Sequence, residues 1–114
     1  MNIEKVRKHC LKKDAVTEGF PFGNDVLVFK VMNKMFCLVS LKLPIFINLK
    51  CEPELAVELR ERHSAVTPGY HMDKIHWNSV QLDGTVPDKE ILKWIDQSYE
   101  LIVAGIPAKK RPKL

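Results

Sequence analysis

The side chains best suited to binding or chemistry lie close together between Pro68 and Asn78. Within these eleven positions the chain combines two rings with imidazole, ammonium and amide groups: Tyr70, His71, Lys74, His76, Trp77 and Asn78. Loops of this mixed character are where binding residues tend to occur. The alternative is that Tyr70 and Trp77 anchor an irregular segment to the core, since buried Tyr and Trp also take a polar partner. Both interpretations stay open at this point.

A metal site is the first chemistry to test against this segment. His71 and His76 are five positions apart with Asp73 between them, and Cys51 is the nearest cysteine in sequence. Zinc sites need three or four ligands at recognisable spacings. We therefore predict no metal, and expect the two imidazoles to bond to the backbone or face water.

Covalent catalysis would need a Cys or Ser beside a base and an orienting group. Cys10 falls on an apolar helix stripe and Cys37 in an apolar strand, which are inert positions. Cys51 lies between Lys50 and Glu52, where Lys50 could favour its thiolate, but without a paired base we expect a packing cysteine. Gly-rich phosphate loops are missing from the sequence. The sequence thus predicts a protein that is not an enzyme and takes no cofactor.

Composition and charge narrow the class of protein further. The chain has 114 residues, 46% of them hydrophobic, which suits one globular domain. The formal charge is +4, but residues 14–106 hold nine basic and thirteen acidic residues. The positive charge therefore belongs to residues 1–13 and 107–114. Any contact with a polyanion must rest on a local patch or on these ends.

The compartment is predicted from hydropathy and cysteine usage. No apolar leader follows Met1, and the longest nearly uncharged run, residues 35–49, contains Lys42 and Pro44. That run is shorter than the about 20 residues needed to cross a bilayer. Three cysteines without CxxC spacing suit a reducing compartment. We expect a cytoplasmic protein that has no membrane partner and is a monomer.

The elements that must position these groups follow from periodicity and from capping and turn residues. Asn2 is expected to cap the first helix, and the short links between the first three strands favour antiparallel pairing. The order is α-β-β-β-α-β-α, an α+β two-layer sandwich with an antiparallel sheet of about four or more strands and helices on one face. The predicted helices are Ile3–Lys13, Pro53–His63 and Pro87–Ala104, and the predicted strands are Val26–Val31, Met35–Leu41, Ile45–Lys50 and Trp77–Leu82.

Three finer expectations concern turns and ends. We expect Asn33-Lys34 to form a hairpin turn, and Phe20 and Phe22 to pack down onto the core. Ile3, Val6, Cys10 and Leu11 should form the buried stripe of the first helix. Residues 1–106 are expected to form one domain. Residues 107–114 should form an exposed, poorly ordered basic tail, either a solubilising end or a phosphate-seeking arm.

The sequence also resembles a known family over nearly its whole length. The chain is similar to the MmcQ/YjbR family of small bacterial proteins, and the stretches that carry the resemblance are Phe20–Gly23, Val28–Val31, Lys34–Phe36, Asn48–Cys51, Pro53-Glu54, Pro68–Met72, Lys74, His76–Asn78, Asp83-Gly84 and Ser98-Tyr99. Asp73 stands where the family often has Asn, and the basic tail lies outside the match.

The resemblance implies a fold and a function. The fold is a CyaY-like (frataxin-like) sandwich, and the function is DNA binding by a double-wing motif whose hairpins act as wings, without catalytic activity. Iron binding of the frataxin kind depends on an acidic ridge on the first helix, whereas Ile3–Lys13 here carries a charge of +4.

The candidate DNA contacts follow from that expectation. Lys50, His71, Lys74, His76 and Asn78 are predicted surface contacts to double-stranded DNA with little sequence preference, and Trp77 is predicted to support them or to stack. The lysines that could widen this patch are Lys30, Lys34, Lys5, Lys8 and Lys12. A second hypothesis is a small protein- or ligand-interaction module that uses the Tyr70–Asn78 segment without nucleic acid. The acidic body of the chain favours this second hypothesis.

Overall fold

The computed structural model describes residues 1–110, of which Lys110 is described in its backbone alone. It contains three helices and six strands in one sheet, and a short 3-10 turn follows at Ala108–Lys110. The helices are α1 (Ile3–Leu11), α2 (Pro53–Arg62) and α3 (Asp88–Ala104), and the strands are β1 (Val16–Gly19), β2 (Val26–Val31), β3 (Lys34–Ser40), β4 (Phe46–Lys50), β5 (Val66–Pro68) and β6 (Trp77–Gln81). Residues 111–114, half of the predicted basic tail, lie outside the described residues.

The sheet has the strand order β1-β2-β3-β4-β6-β5, and every neighbouring pair is antiparallel. The predicted α+β class is therefore confirmed. The element order is α-β-β-β-β-α-β-β-α, because the sequence analysis missed β1 and β5. These two edge strands are only four and three residues long, with few buried side chains. Segments this short do not show a clear alternation of apolar and polar residues.

The hydrophobic core lies on one face of the sheet, between the strands and the helices. Alternate residues of the strands reach it, among them Phe29 of β2 and Ile47 of β4, both fully buried. The helices contribute the buried residues Val6, Cys10, Ala56, Leu59, Ile91, Trp94, Ile95, Tyr99, Ile102 and Val103. The expected arrangement of helices on one face is thus confirmed, and we call the opposite face of the sheet the helix-free face.

Local signals explain where the helices begin. The Asn2 side chain accepts a hydrogen bond from the Lys5 backbone N–H at 2.9 Å, as expected for an N-cap. Pro53 begins α2 at a position where its missing N–H costs nothing. The predicted stripe of α1 was too wide, since Leu11 is 37% exposed and ends the helix rather than packing on the sheet. None of the described helices is long and apolar enough to span a membrane.

Two predictions about turns were wrong. The turn between β2 and β3 is formed by Met32 and Asn33, which both have positive φ, while Lys34 already pairs with Val31. Positive φ at both central residues gives the turn the twist that a two-residue hairpin requires. Phe20 and Phe22 do not pack down: they are 50% and 63% exposed, because their loop passes along the helix-free face instead of reaching the core.

Candidate functional site

The helix-free face carries the residues with which a ligand could interact. Counted across β2, β3, β4 and β6, its central row is Val28, Leu38, Asn48 and Ser79, which are neighbours in the strand register. All four are less than 9% exposed although no helix packs on this face. On one side of this row, along the strands, Lys30 pairs with Met35, and Lys50 pairs with Trp77. On the other side lies Phe46, which pairs with Gln81.

Asn48 and Ser79 hold a loop against this face. The Ser79 hydroxyl donates to the Asn48 side-chain oxygen, and the Asn48 amide donates to the Tyr70 carbonyl at 3.1 Å. The Tyr70 N–H in turn donates to Ser79 Oγ at 2.9 Å. Buried polar side chains need such partners, and here both are satisfied by a single residue of the loop. The Tyr70 backbone is therefore fixed on the sheet while the residue remains 58% exposed.

The rest of the Gly69–His76 loop is closed by its own polar groups. The Gly69 N–H donates to the Trp77 carbonyl at 2.8 Å, and a Cβ at Gly69 would lie only 2.8 Å from the Trp77 Cβ. This close approach requires glycine. Lys74, a predicted DNA contact, donates from Nζ to the Gly69 carbonyl at 3.0 Å. Its ammonium therefore stabilises the loop, although the residue is exposed.

Asp73 and His76 form a second closing contact in this loop. His76 Nδ1 lies 2.7 Å from Asp73 Oδ2, and the Ile75 N–H donates to Asp73 Oδ1 at 2.8 Å. The hydrogen bond from His76, followed by that from the Ile75 backbone, lowers the pKa of Asp73. His76 is exposed but its Nδ1 is already bonded to a carboxylate, which weakens it as a phosphate contact. Among the described residues, His, Cys, Asp and Glu form no group of three or more suited to a metal ion.

Asn78 is placed differently from its prediction as a surface contact. It is 2% exposed and lies on the helix-covered face, where its amide donates to the Ala56 carbonyl at 3.2 Å. Arg60 of α2 completes the arrangement, donating to Asn78 Oδ1 at 2.8 Å and to the Lys74 carbonyl at 2.7 Å. Asn78 therefore cannot touch a ligand at the surface, because odd and even positions of a strand face opposite sides. Arg60 was not predicted to have this role. A basic residue in the last turn of a helix is already favourable there, so nothing in the sequence indicated a partner.

Three of the predicted lysines are brought together. Lys30, Lys34 and Lys50 line one open depression of about 500 Å³ at the β2–β3 hairpin, and its other walls are Phe22, Asn33, Met35 and, at the carboxyl end of α3, Leu101, Ile102 and Gly105. Lys30 and Lys50 lie on the helix-free face, whereas Lys34 pairs with the core residue Val31, so its backbone position faces the other side of the sheet. Within residues 1–109 no carboxylate lies within ion-pair distance of these three ammonium groups. We call Lys30, Lys34 and Lys50 the lysine cluster.

A buried serine of α3 fixes the position of Lys50. Ser98 is fully buried, donates from Oγ to the Phe36 carbonyl at 2.6 Å and accepts from the Lys50 N–H at 2.9 Å. Phe36 is the extra residue of β3 where the register between β2 and β3 shifts. The hydroxyl thus satisfies the backbone where regular pairing of β3 and β4 ends. No polar pattern in the sequence pointed to Ser98, although it lies in a stretch that carries the family resemblance.

A groove of about 370 Å³ on the helix-free face adjoins the lysine cluster. Phe22 and Met35 line both, so the two depressions are neighbours. The remaining walls of the groove are Val26, Leu38, Ser40, Phe46, Asn48, Tyr70, His71 and Met72. His71, whose ring lies 4.1 Å from that of Tyr70, belongs to this groove and not to the lysine cluster. The sequence analysis missed Phe22 and Phe46 as site residues, because it assigned the first to the core.

The lysines of α1 do not widen this surface. The helix packs on the helix-covered side, against β1 and α3. Lys5 also lies 3.3 Å from Asp88. Lys8 and Lys12 flank a shallow depression of α1 itself. The prediction that these three lysines could extend the patch therefore does not fit the fold.

The cysteines offer no reactive thiolate on this surface. Cys51 is 8% exposed, and burial, with a smaller effect of Glu52, raises the pKa of its thiol. The idea that Lys50 favours a Cys51 thiolate is therefore wrong. Cys10 and Cys37 are fully buried, and their mutual hydrogen bond and burial raise the pKa of Cys37. Such thiols are packing groups.

The sequence and the fold of this chain are similar to those of known proteins. The family model described as YjbR matches residues 11–101. The "Uncharacterized protein YjbR" of Escherichia coli (strain K12) is 34% identical, covering 100% of this chain and 98% of its own. The crystal structure of Deinococcus radiodurans protein DR2400 superposes with a TM-score of 0.90 at 35% identity, over 96% of this chain and 84% of that one. The crystal structure of a protein from Pseudomonas syringae superposes with a TM-score of 0.78 at 30% identity, over 89% of this chain and 98% of that one.

Proposed function

This chain belongs to the YjbR family, and from that premise we propose that it binds DNA through the lysine cluster at the β2–β3 hairpin. The observation that carries the proposal is the convergence of Lys30, Lys34 and Lys50 around one depression without a carboxylate partner among residues 1–109. Unpaired ammonium groups release counterions from phosphates, which is the main source of affinity that does not depend on sequence.

The position of the cluster supports contact with a backbone. Lys34 begins β3 directly after the β2–β3 turn, while Lys30 and Lys50 lie on β2 and β4 on either side of it. Adjacent strands are about 4.8 Å apart. The hairpin and the neighbouring strand thus gather three cations around one depression, as the wing of the double-wing motif would. Contacts of this kind position a protein on DNA without reading bases.

We propose a binding protein and not an enzyme, acting as a monomer in the cytoplasm without a cofactor. All three cysteines are free thiols, which suits a reducing compartment. Lys74 and His76 are expected to contribute less than the lysine cluster, because their polar groups already hold the Gly69 carbonyl and Asp73.

A matched pair of double variants tests the proposal. Lys34→Ala/Lys50→Ala removes two cations from the cluster, and Lys89→Ala/Lys93→Ala removes two exposed cations from the amino-terminal half of α3, outside the depression. Binding of a fluorescent duplex is measured by anisotropy between about 50 and 200 mM salt. We expect the first variant to have a lower affinity at every salt concentration. Its log–log salt slope should fall by about 2, or about 1 for each lysine replaced.

Equal reductions in both double variants would contradict the proposal, since they would mean that net charge alone matters. Wild-type affinity that does not change with salt would contradict it as well. A chain that ends at Ile106 separates the tail from the folded domain, because Ile106 itself is only 3% exposed and is kept. Loss of all duplex binding in that chain would assign the binding to residues 107–114 instead.

A further inference from the structure

We propose that the groove beside the lysine cluster binds an unpaired nucleobase, so that single-stranded DNA is held with one base in the groove and its phosphates on the lysines. This inference rests on the proposed function and goes beyond it, because it names the form of DNA. The proposal of duplex binding rests on Lys30, Lys34 and Lys50, and none of these three lysines lines the groove.

The walls of the groove suit a flat ring. Phe22 and Tyr70 come from two different loops, and they are 63% and 58% exposed. Phe46 meets the Tyr70 ring at a right angle, with centroids 5.9 Å apart and planes at 89°, and the tilted His71 ring lies 4.1 Å from it, so two neighbouring rings brace Tyr70 at the groove. Stacking on aromatic side chains accepts every base, because each base has a π face. A volume of about 370 Å³ is also within the usual range for small-ligand pockets.

The groove is ordered before any ligand arrives. Asn48 and Ser79, 6% and 5% exposed, hold both backbone groups of Tyr70. A site whose backbone is already fixed loses less entropy on binding than a loop that must become ordered. This polar pair therefore fixes the backbone from which the Tyr70 side chain lines the groove in the free protein.

Charge decides between the occupants of an apolar groove. Phe22 and Met35 line both depressions, so a ligand in the groove has its next atoms beside Lys30, Lys34 and Lys50. A purely apolar ligand or peptide would leave these ammonium groups without a partner. A nucleotide within a strand supplies a ring and, on each side of it, a phosphate. Bases within a duplex are stacked and cannot enter, so the groove selects an unpaired base.

Two exposed aromatic residues allow the test without damage to the core. Phe22→Ala and Tyr70→Ala are compared with Ile75→Ala, which removes an exposed apolar side chain, 64% exposed, from the Gly69–His76 loop but outside the groove. Anisotropy of a labelled single-stranded oligonucleotide and of the matching duplex is measured in the same buffer. We expect each aromatic variant to bind the single strand about fivefold to 100-fold more weakly. Duplex binding by Tyr70→Ala, which lies outside the lysine-cluster depression, and both affinities of Ile75→Ala should stay within about twofold of wild type, or about 0.4 kcal/mol at most.

The outcomes separate this inference from the proposed function. If the aromatic variants bind the single strand as wild type does while Lys34→Ala/Lys50→Ala weakens duplex binding, the groove inference is overturned and the lysine cluster stands. If neither form of DNA binds wild type, both fail. A free 5′-mononucleotide is the third probe. If the mononucleotide binds as tightly as the single strand, and if Tyr70→Ala weakens both equally, a free nucleotide and not a strand is the occupant, and the inference is overturned.

Discussion

The two faces of the sheet bury their central rows by different means. On the helix-covered face, Phe29 and Leu49 belong to one apolar cluster with residues of all three helices. On the helix-free face the corresponding row includes Asn48 and Ser79, which bond to each other and hold the loop above them by two hydrogen bonds to Tyr70. The first face derives its stability from apolar packing. The second uses directional bonds that fix one backbone segment and leave rings and ammonium groups in solvent, which is what a binding surface requires.

The largest expected effect is on the helix-covered face. Phe29→Ala should lower the free energy of unfolding by about 3–5 kcal/mol, since a fully buried ring is removed and a cavity remains. Phe22→Ala, on the exposed loop, should change it by less than about 0.5 kcal/mol. Urea denaturation of both variants measures the contrast. A Phe22→Ala variant as unstable as Phe29→Ala would mean that the groove is a second core and not a binding surface.

The next effect concerns the hydrogen bonds that hold the loop on the helix-free face. Asn48→Ala should destabilise the protein by about 1–3 kcal/mol, because it removes the donor to Tyr70 and leaves Ser79 Oγ without its acceptor. Amide hydrogen exchange is expected to accelerate selectively at Tyr70, whose N–H donates to that serine. Asn24→Ala, at an exposed loop position, is the control. Protection at Tyr70 that survives Asn48→Ala would show that packing alone holds the loop.

A smaller, pH-dependent effect links α1 to α3 on the helix-covered side. Burial raises the pKa of Asp96, but hydrogen bonds from Lys13 and His9 outweigh it, and the net pKa lies below the ordinary 3.8. A lowered pKa means that the contribution is present above pH 3.8 and is lost as the pH falls through the folded-state value. Since the side chain is 41% exposed, Asp96→Asn should cost about 1 kcal/mol or less at neutral pH.

Unfolding free energies at neutral pH and near pH 3 measure this effect. The difference between wild type and Asp96→Asn should shrink at the lower pH, as Asp96 becomes protonated in the wild type. Asp25→Asn is a matched control, because Asp25 faces Lys42 at 3.2 Å but is 62% exposed. A difference for Asp96→Asn that grows as the pH falls would contradict the assigned direction of the pKa.

Sequence reasoning succeeded where local signals were strong. The bounds of β2 were predicted to the residue, and those of α2, α3, β4 and β6 to within one residue. Asn2, Pro53 and Gly105 mark helix ends for reasons that act within one turn of chain. The strands β1 and β5 were missed because they exist through pairing with β2 and β6, which short segments do not encode in their own periodicity.

The candidate site was predicted only in part, and for a physical reason. Lys50 was predicted as a contact and Lys30 and Lys34 as lysines that could widen its patch, but only the antiparallel pairing of β2, β3 and β4 brings the three to one depression. Asn78 was assigned to the wrong face, since a strand's alternation does not say which face the helices will cover. Phe22 was assigned to the core because it is apolar, but it lies in the loop between β1 and β2, whose path no periodic pattern specifies.

The sequence by itself determined the class of fold, the helix and strand segments and a set of candidate residues, because these depend on periodicity and on turns and caps between near neighbours. The tertiary structure decided which candidates face solvent and which share a site. Lys50 and Ser98, 48 positions apart, meet through one hydrogen bond, and Asn48 reaches Tyr70 across 22 positions. Such contacts follow from the packing of the whole chain, so no local pattern could have specified them.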